Sequence, residues 1–323
     1  MTGLPVGVIG VGALGQHHAR HLARLDHVRL VGVHDIDSAR ATQVATSLGT
    51  TAFRDLDRLL GQVEAVTVAV PTPVHAEVGL RALERGVPVL MEKPLASTLA
   101  EADGLITAAR RQQVQLQVGH IERYNRALRA AEPYLDGPRY IESLRLAPFQ
   151  PRGTDVAVVL DLMIHDLDLV LHLTGSVATE VRASGLPVLS PHLDIANARV
   201  EFANGAVALA TASRVARDRV RRLRLFQPNG YFSLDLATGA GEFMRLRQGW
   251  QPGTGRELAD VVERLVLEAP EADALFLELQ SFVHAVRGER EVVVRGEEGR
   301  AALELALRVA DAVRTPPLAV TTH

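Results

Sequence analysis

The chain has 323 residues, of which 47% are hydrophobic and 23% are charged, and its formal charge at pH 7 is -3. This composition is typical of a globular protein of about two domains, and the slight acidity argues against a general nucleic-acid binder. The absence of cysteine excludes disulfides, thiolate nucleophiles and cysteine-based metal sites. The apolar N-terminal stretch is rich in glycine and follows no basic residue, so it resembles neither a signal peptide nor a membrane span. We therefore expect a cytoplasmic protein that does not bind membranes.

Residues 1–120 are predicted to form a doubly wound α/β domain, which is the Rossmann type of fold. Short apolar runs alternate with helical patterns over this range, and each run contains few charged residues. Such runs are typical of parallel strands that helices cover on both faces of the sheet. The apolar runs are PVGVIG, VRLVGV, VEAVTVAV, VPVLME and VQLQV.

The first apolar run leads into the sequence GVGALG, which opens the first predicted helix. Gly10 allows a tight turn, Gly12 lets the backbone approach a pyrophosphate, and Gly15 allows the helix to pack closely on the strand. The amide groups at the start of the helix would then bind the phosphates. The pattern predicts a dinucleotide site that includes Ala13 and Leu14 of the same loop.

Asp35 follows the second apolar run, 20 residues after Gly15. At this spacing an acidic side chain accepts hydrogen bonds from the ribose hydroxyls and repels a 2′-phosphate, so the sequence favours NAD over NADP. Arg40 keeps NADP open, because an arginine in this region could bind that phosphate. The alternative interpretation of Arg40 is a solvated helix residue.

Two further segments end at the edge of the predicted sheet where ligands of such folds bind. One segment carries Pro71, Thr72 and His75, and the other carries Glu92 and Lys93. We expect all five residues to lie near the cofactor. Alternatively, Thr72 and His75 form only a turn and a helix start, and Glu92 and Lys93 form an exposed ion pair.

Lys93 is the only lysine among the 35 lysine and arginine residues of the chain. A lysine ammonium can lose its proton when it is desolvated or placed near other charges, whereas an arginine stays protonated. The chain otherwise uses arginine and keeps lysine at the mouth of the predicted nucleotide site. This exception predicts a catalytic role for Lys93.

Residues 121–323 are predicted to form a second domain for substrate binding and oligomerisation. Alternating apolar and polar residues, with turn sequences such as ANG and PNG, indicate a mostly antiparallel sheet with one buried face. Two helical segments close the chain and could pack back on the first domain, while residues 251–262 remain unassigned. The arginine-rich run from Arg214 to Arg224 is interpreted as the solvated face of a strand, with an anionic substrate or another subunit as the alternative contact.

A helical pattern in the second domain, VVLDLMIHDLDLVLHL, places Asp161 and His165 on one face, one turn apart. An aspartate that accepts from one imidazole nitrogen fixes the tautomer and leaves the other nitrogen for proton transfer. His172 continues this face and raises the alternative of a metal site. Residues seven apart on a helix lie about 10 Å apart along its axis, too far for one ion, so we expect no metal. A purely structural buried pair is the other alternative.

Four motifs in this order and spacing, G-x-G-x-x-G, P-T-P-x-H, E-K-P and D-x-x-x-H, resemble the GFO/IDH/MocA family of glucose-fructose oxidoreductase, inositol dehydrogenase and their relatives. The resemblance covers nearly the whole chain. It implies a Rossmann domain followed by an α/β domain whose large, mostly antiparallel open sheet often joins homodimers or homotetramers. It also implies that Lys93, Asp161 and His165 surround the sugar carbon that faces the nicotinamide.

The segment GHIERYN and the run around Asp161 are similar to a subgroup of this family that includes UDP-N-acetylglucosamine 3-dehydrogenases. The resemblance implies that His120, Arg123, Tyr124 and Asn125 lie at the junction of cofactor and substrate. The alternative interpretation is the polar side of a domain-linking helix.

The sequence therefore predicts an oxidoreductase that transfers a hydride between nicotinamide and a secondary alcohol of a sugar or nucleotide sugar. His165 would take the hydroxyl proton, and Lys93 would stabilise the developing charge on the reacting oxygen. Two alternatives remain open: a non-catalytic NAD(H)-binding sensor or scaffold, and a glycosidase of the same family that oxidises its substrate transiently. The sugar, the oxidised carbon and the direction are not determined by the sequence.

Overall fold

The computed structural model of the chain describes residues 3–150, 156–247, 249–250 and 257–313. The chain divides into two compact units. Unit 1 contains the residues up to Tyr124 together with Ala272–Leu303, and unit 2 contains Asn125–Glu271 and the residues from Glu304 onwards. The predicted domain boundary at residue 120 stays a prediction.

Among the described residues, unit 1 contains a six-stranded sheet in which every neighbouring pair is parallel. Its order across the sheet reverses between the first and the fourth strand, and ligands of such sheets bind beyond the carboxyl ends of the strands at this switch point. The order is β3-β2-β1-β4-β5-β6. The strands are β1 (Leu4–Ile9), β2 (Val28–His34), β3 (Thr51–Phe53), β4 (Ala65–Val68), β5 (Val89–Glu92) and β6 (Leu116–Gly119).

The helices begin and end where local sequence favours it. Asp37 caps α2 by accepting hydrogen bonds from two backbone N–H groups, and Thr98 and Glu101 form a capping box at the start of α5. Within the described ranges, none of the helices combines the length and apolar character that a bilayer crossing requires. The α-helices are α1 (Gly15–Leu22), α2 (Ser38–Leu48), α3 (Leu56–Leu60), α4 (His75–Leu83), α5 (Leu99–Gln112), α6 (Arg126–Ala131), α7 (Ile164–Thr174), α8 (Leu258–Val261), α9 (Ala274–Val286) and α10 (Gly296–Ala312).

One hydrophobic core of unit 1 joins residues that are far apart in sequence. Val8 of β1 and Leu22 of α1 belong to the same buried cluster as Leu279 and Phe282 of α9. All four side chains are fully buried. Helix α9, which follows the strands of unit 2 in the chain, therefore completes the core of unit 1.

The described residues of unit 2 form an eight-stranded sheet in the order β14-β13-β12-β11-β7-β10-β9-β8. Only β7 and β10 pair in parallel, and the other neighbours are antiparallel. The predicted α/β class, a Rossmann sheet followed by a large, mostly antiparallel sheet, is confirmed. The strands are β7 (Tyr140–Leu146), β8 (Ala178–Leu186), β9 (Ile195–Phe202), β10 (Val207–Ser213), β11 (Val220–Gln227), β12 (Gly230–Asp235), β13 (Ala240–Leu246) and β14 (Val262–Leu267).

Three strands were not predicted from the sequence pattern: β3, β13 and β14. Strand β3 has only three residues, and β14 lies at the edge of its sheet with Leu267 as its one buried residue. Short strands and edge strands bury too little to show a clear apolar face in their sequence, which accounts for β3 and β14. It does not account for β13, which has seven residues and lies inside its sheet. The unassigned stretch 251–262 lies partly outside the described residues, and its end forms α8 and begins β14.

Candidate active site

The glycine-rich loop leaves space where a dinucleotide needs it. Gly10 has a positive φ of 82°, and a Cβ there would lie 2.7 Å from the carbonyl oxygen of Ala69. A Cβ on Gly15 would lie 1.8 Å from the carbonyl oxygen of Gly10, so both glycines are required by packing. A Cβ on Gly12 would meet only Nη1 of Arg40, at 3.7 Å. The open side at Gly12 fits the close approach of a pyrophosphate to the backbone.

Asp35 is held at the end of β2 by the loops around it. Its Oδ2 accepts a hydrogen bond from the backbone N–H of Val11 at 2.8 Å, and its Oδ1 accepts one from Asp37 at 2.9 Å. The guanidinium of Arg40 lies 3.5 Å from Asp35 and 3.1 Å from Asp37. Two carboxylates thus share the positive charge of Arg40, which makes this arginine a poorer partner for a 2′-phosphate. The arrangement supports the predicted preference for NAD.

His75 connects the loops that follow β4 and β5. Its Nδ1 lies 2.9 Å from the carbonyl oxygen of Pro94, its Nε2 lies 2.9 Å from that of Val70, and the ring is 1% exposed. Burial lowers the pKa of His75 below its usual value, against the effect of the two carbonyls. A neutral imidazole carries one N–H, so His75 donates a hydrogen bond to one of these two carbonyl oxygens and packs against the other. We infer that it shapes the loop that presents Pro71 and Thr72, which are more accessible.

Glu92 and Lys93 stand at the end of β5, where the motif E-K-P predicts chemistry. Oε1 of Glu92 lies 3.0 Å from Nε2 of His18, and Oε2 accepts a hydrogen bond from the backbone N–H of Lys93 at 3.2 Å. Burial opposes ionisation of Glu92, but the hydrogen bond and charge of His18 and the charge of Lys93 hold its pKa below the usual value. Lys93 itself is partly exposed. The ammonium thus stands beside an ionised carboxylate at the ligand edge of the sheet.

A second glutamate, Glu278 of α9, is fully buried in unit 1. Neither carboxyl oxygen has a hydrogen-bond partner among the described residues. Burial, and then the negative charge of Glu92, raises the pKa of Glu278 well above its usual value. The neutral acid is therefore the favoured form of this side chain.

Sequence reasoning missed both His18 and Glu278. A signal for Glu278 is present, because it stands one and four residues before Leu279 and Phe282, on the apolar face of its helix. His18 likewise occupies an inward position of α1, between the buried residues Gly15 and Leu22. A polar residue on an apolar face marks a buried polar group, but the sequence does not reveal its partner.

The segment after β6 was predicted to lie at the junction of cofactor and substrate. In unit 1, His120, Arg123 and Tyr124 are all buried. Arg123 lies 3.5 Å from Glu298, and the hydroxyl of Tyr124 accepts a hydrogen bond from Gln117 at 3.3 Å. These contacts show a packing role for Arg123 and Tyr124, and substrate contact stays a prediction.

Asn125, the first residue of unit 2, has a defined structural role. Its Oδ1 accepts from the backbone N–H of Ala127, which caps α6, and its Nδ2 donates to the carbonyl oxygen of Leu236 at 2.8 Å. Both ends of the side-chain amide are used within unit 2. The predicted contact of Asn125 with substrate remains a prediction.

Asp161 and His165 lie in a helix that is not regular. Residues Val159–Met163 form a π-helical turn, and α7 begins directly after it, whereas the sequence predicted one α-helix throughout. Such turns frequently occur at functional sites. Asp161 and His165 are both partly exposed, while Met163 and Ile164 between them are buried. The two side chains therefore lie on the accessible side of the helix.

His172 completes the arrangement that raised the metal alternative. It is exposed in the last turn of α7. In the part of the chain that the structure describes, no three histidine, aspartate or glutamate side chains group as ligands for one metal ion.

A buried ion pair fixes α7 on the sheet. Nε and Nη2 of Arg145 on β7 donate to the two carboxylate oxygens of Asp166, at 2.7 and 2.9 Å. Bidentate pairs of this kind fix orientation as well as distance. Because Asp166 is adjacent to His165, the pair restricts where the histidine stands.

Arg214 corrects the interpretation of the arginine-rich run as a solvated face. It is 4% exposed, and its guanidinium donates to the carbonyl oxygens of Val156 and Leu193 and lies 3.4 Å from Asp194. The backbone N–H of Val158 also donates to Leu193, at 2.8 Å. Through these contacts Arg214 supports the segment that leads into the π turn. It lies between β10 and β11, so the alternation of β11 does not determine its burial. Arg222 and Arg224 are exposed, which agrees with the interpretation of this run as the solvated face of a strand.

Comparison with known proteins identifies both parts of the chain. Residues 4–120 match the GFO/IDH/MocA oxidoreductase family, NAD-binding Rossmann fold, and residues 146–233 match the GFO/IDH/MocA C-terminal domain. The chain is 39% identical to UDP-N-acetylglucosamine 3-dehydrogenase of Acidithiobacillus ferrooxidans over 97% of this chain and 98% of that protein. A solved structure of that enzyme superposes with a TM-score of 0.90 over the same shares of the two chains. Myo-inositol 2-dehydrogenase of Thermotoga maritima is 26% identical over 93% of each chain.

Proposed function

Because the chain belongs to the GFO/IDH/MocA family of NAD-binding oxidoreductases, we propose that it oxidises the C3 hydroxyl of UDP-N-acetylglucosamine with NAD. Family membership confirms the resemblance drawn from the four motifs, the cofactor NAD, and the prediction of a dehydrogenase over that of a non-catalytic sensor. One observation carries the substrate proposal: the 39% identity extends over 97% of the chain and so includes both units.

The residues of unit 1 fit the cofactor. The open backbone at Gly12 would receive the pyrophosphate, and the carboxylate of Asp35 would accept hydrogen bonds from the adenosine ribose. Bound NAD supplies a hydride acceptor. The loops after β4 and β5, which His75 contacts, would line the cofactor pocket opposite the glycine-rich loop.

Three residues are proposed to act on the C3 hydroxyl. His165 would accept the proton of the C3 hydroxyl, and Asp161 would fix its tautomer. Lys93 would donate a hydrogen bond to the same oxygen and stabilise the negative charge that develops on it. The anchoring of α7 by the buried pair of Arg145 and Asp166 supports this assignment, because a general base must be held in place.

A second candidate substrate is a free polyol such as myo-inositol. It is favoured by the near full-length likeness to the inositol dehydrogenase, at lower identity than the first candidate. The two candidates differ in the nucleotide portion, so they predict different dependence of the rate on the UDP group.

The test combines a substrate screen with an isotope. UDP-N-acetylglucosamine, free N-acetylglucosamine, UDP-glucose and myo-inositol are incubated with the full chain and NAD, and NADH is followed by absorbance. We expect the first substrate to give the highest kcat/KM. With deuterium at C3, the label should appear in the NADH. Turnover of myo-inositol in preference to the UDP sugar, or label retained in the sugar product, would contradict the proposal.

We further propose that the chain forms a homodimer or homotetramer in the cytoplasm through the open face of the unit 2 sheet. Tyr140, Phe226 and Tyr231 are directly opposite one another on β7, β11 and β12, and their rings lie 5.7 and 5.4 Å apart. Tyr231 is 38% exposed, and Arg224 pairs with Glu142 beside this row. An aromatic row within a charged surface is typical of an interface. Light scattering should give a dimer or tetramer that Tyr231→Glu dissociates; a monomeric parent would contradict this.

A further inference from the structure

Glu278 is a buried acid that neither the fold nor the proposed reaction uses. The side chain is 0% exposed, and its two carboxyl oxygens accept and donate no hydrogen bond among the described residues. A buried polar group without partners destabilises the folded protein. Its presence inside the cofactor-binding unit therefore indicates a function.

The position of Glu278 is fixed through β6. Its backbone carbonyl oxygen lies 3.4 Å from Nε2 of Gln117. Side chains two residues apart on a strand point to the same face, so Gln117 and Gly119 face the same side of the sheet. A Cβ on Gly119 would lie 3.4 Å from the carboxyl carbon of Glu92, its neighbour on β5. The carboxyl of Glu92 therefore lies on the face where α9 carries Glu278.

The charged and titratable groups around this pair come from several elements of unit 1. Helix α1 brings His18 to Glu92, and the end of β5 brings Lys93. Beyond these are His75 on α4, whose interaction is with Glu92, and Arg123 and Tyr124 after β6. Among the residues that the structure describes, Glu92 is the group whose negative charge acts on Glu278.

The two glutamates differ in their favoured state. The hydrogen bond from His18 and the charge of Lys93 favour ionised Glu92, whereas burial and the charge of Glu92 favour neutral Glu278. Two interacting carboxyls of this kind titrate as a pair and hold one proton over a wide range of pH.

We propose that Glu92 and Glu278 hold one proton between them in the cofactor-free protein and release it to solvent when the positively charged nicotinamide of NAD binds. A nearby positive charge favours the ionised form of a carboxyl, and the nicotinamide of NADH carries no such charge. Glu278 is thus a positioning residue: the proton that the pair releases leaves a negative charge in unit 1. This charge favours binding of NAD over binding of NADH. Because binding releases a proton, the affinity for NAD rises with pH over the range in which the pair titrates. The proposal depends on NAD binding and not on the identity of the sugar.

The test is calorimetric titration of the full chain with NAD, in buffers of different ionisation enthalpy, across about pH 6 to 9. The dependence of the heat on the buffer gives the number of protons released. We expect the parent to release a substantial fraction of one proton with NAD and much less with NADH. Glu278→Gln should lose most of the release, and its NAD-to-NADH affinity ratio should fall by at least about fivefold.

Glu132→Gln is the matched control. Burial also raises the pKa of Glu132, but this residue belongs to unit 2. Its variant should release protons as the parent does. The difference in proton release between the parent and Glu278→Gln measures what the coupled pair of Glu92 and Glu278 contributes.

The outcomes separate this proposal from the proposed function. Equal proton release by NAD and NADH, or parental release in Glu278→Gln, would overturn it. Glu278→Met, which fills the same space without an amide, gives the same readout if the glutamine variant does not fold. No sugar is present in these titrations, so failure to oxidise UDP-N-acetylglucosamine leaves this result unaffected.

Discussion

Asp35 and Val11 are joined by a hydrogen bond of 2.8 Å from the backbone N–H of Val11 to Oδ2 of Asp35. One carboxylate therefore fixes the glycine-rich loop, and the same carboxylate is proposed to bind the ribose. Asp35 is 8% exposed, so its charge acts at short range with little screening by solvent. The bond couples cofactor choice to the stability of unit 1.

Cofactor preference tests this double role. The parent should bind NAD more tightly than NADP, and Asp35→Ala should raise the NADP-to-NAD affinity ratio by at least about tenfold, because a repulsive charge is removed. The variant should also lose about 1–3 kcal/mol of stability, since the N–H of Val11 loses its partner. Calorimetry and urea unfolding give the two quantities.

Asp55→Ala provides the control for Asp35→Ala. Asp55 caps α3 by accepting a backbone hydrogen bond from Asp57, and it is exposed. Loss of this cap should cost about 1 kcal/mol with no change in the affinity ratio. A parent that prefers NADP, or an unchanged ratio in Asp35→Ala, would show that Asp35 does not determine cofactor choice.

His165→Ala tests the proposed general base. We expect kcat to fall by about two to four orders of magnitude, as for the loss of a positioned proton acceptor, while NAD affinity stays at the parental value. His172→Ala removes an exposed histidine from the same helix and should retain parental kcat. If His165→Ala kept most of its rate, the proton would have to leave by another group.

Glu278 makes a prediction about stability and pH. A carboxyl whose pKa is raised on folding binds its proton more tightly in the folded state, so the folded protein loses stability as pH rises from 4.5, the usual value, to the folded pKa. Glu278→Gln cannot ionise and should lack this loss. Over that pH range, urea unfolding should show that the free energy of unfolding of the variant increases relative to that of the parent as pH rises. If the stabilities of parent and variant changed in parallel with pH, the pKa of Glu278 would not be raised on folding.

Local sequence was sufficient to predict much of unit 1. The continuous apolar runs predicted five of its six described strands. The glycine loop and Asp35 were found because their spacing follows from the geometry of a strand, a turn and a helix. These features depend on neighbours in sequence, which a single chain displays.

Features that depend on distant contacts were not predicted. Glu278 reaches β6 from a helix more than 150 residues later in the chain, and nothing local indicates that contact. Arg214 is buried because its guanidinium finds Asp194 and two carbonyls of other segments. The π turn at Asp161 was likewise not predicted, because the sequence around it has the same helical periodicity as the α-helix that follows.

The central claim is that the lone lysine of the chain is catalytic, and kcat of Lys93→Arg tests it most directly. The substitution keeps a positive charge beside Glu92. A guanidinium is larger, presents a planar fork and does not give up its proton. We therefore predict a folded variant with parental melting temperature and NAD affinity, whose kcat on UDP-N-acetylglucosamine is at least about a hundredfold lower, the scale of losing one preorganised donor. A variant with near-parental kcat would show that any cation suffices at this position and would contradict the account.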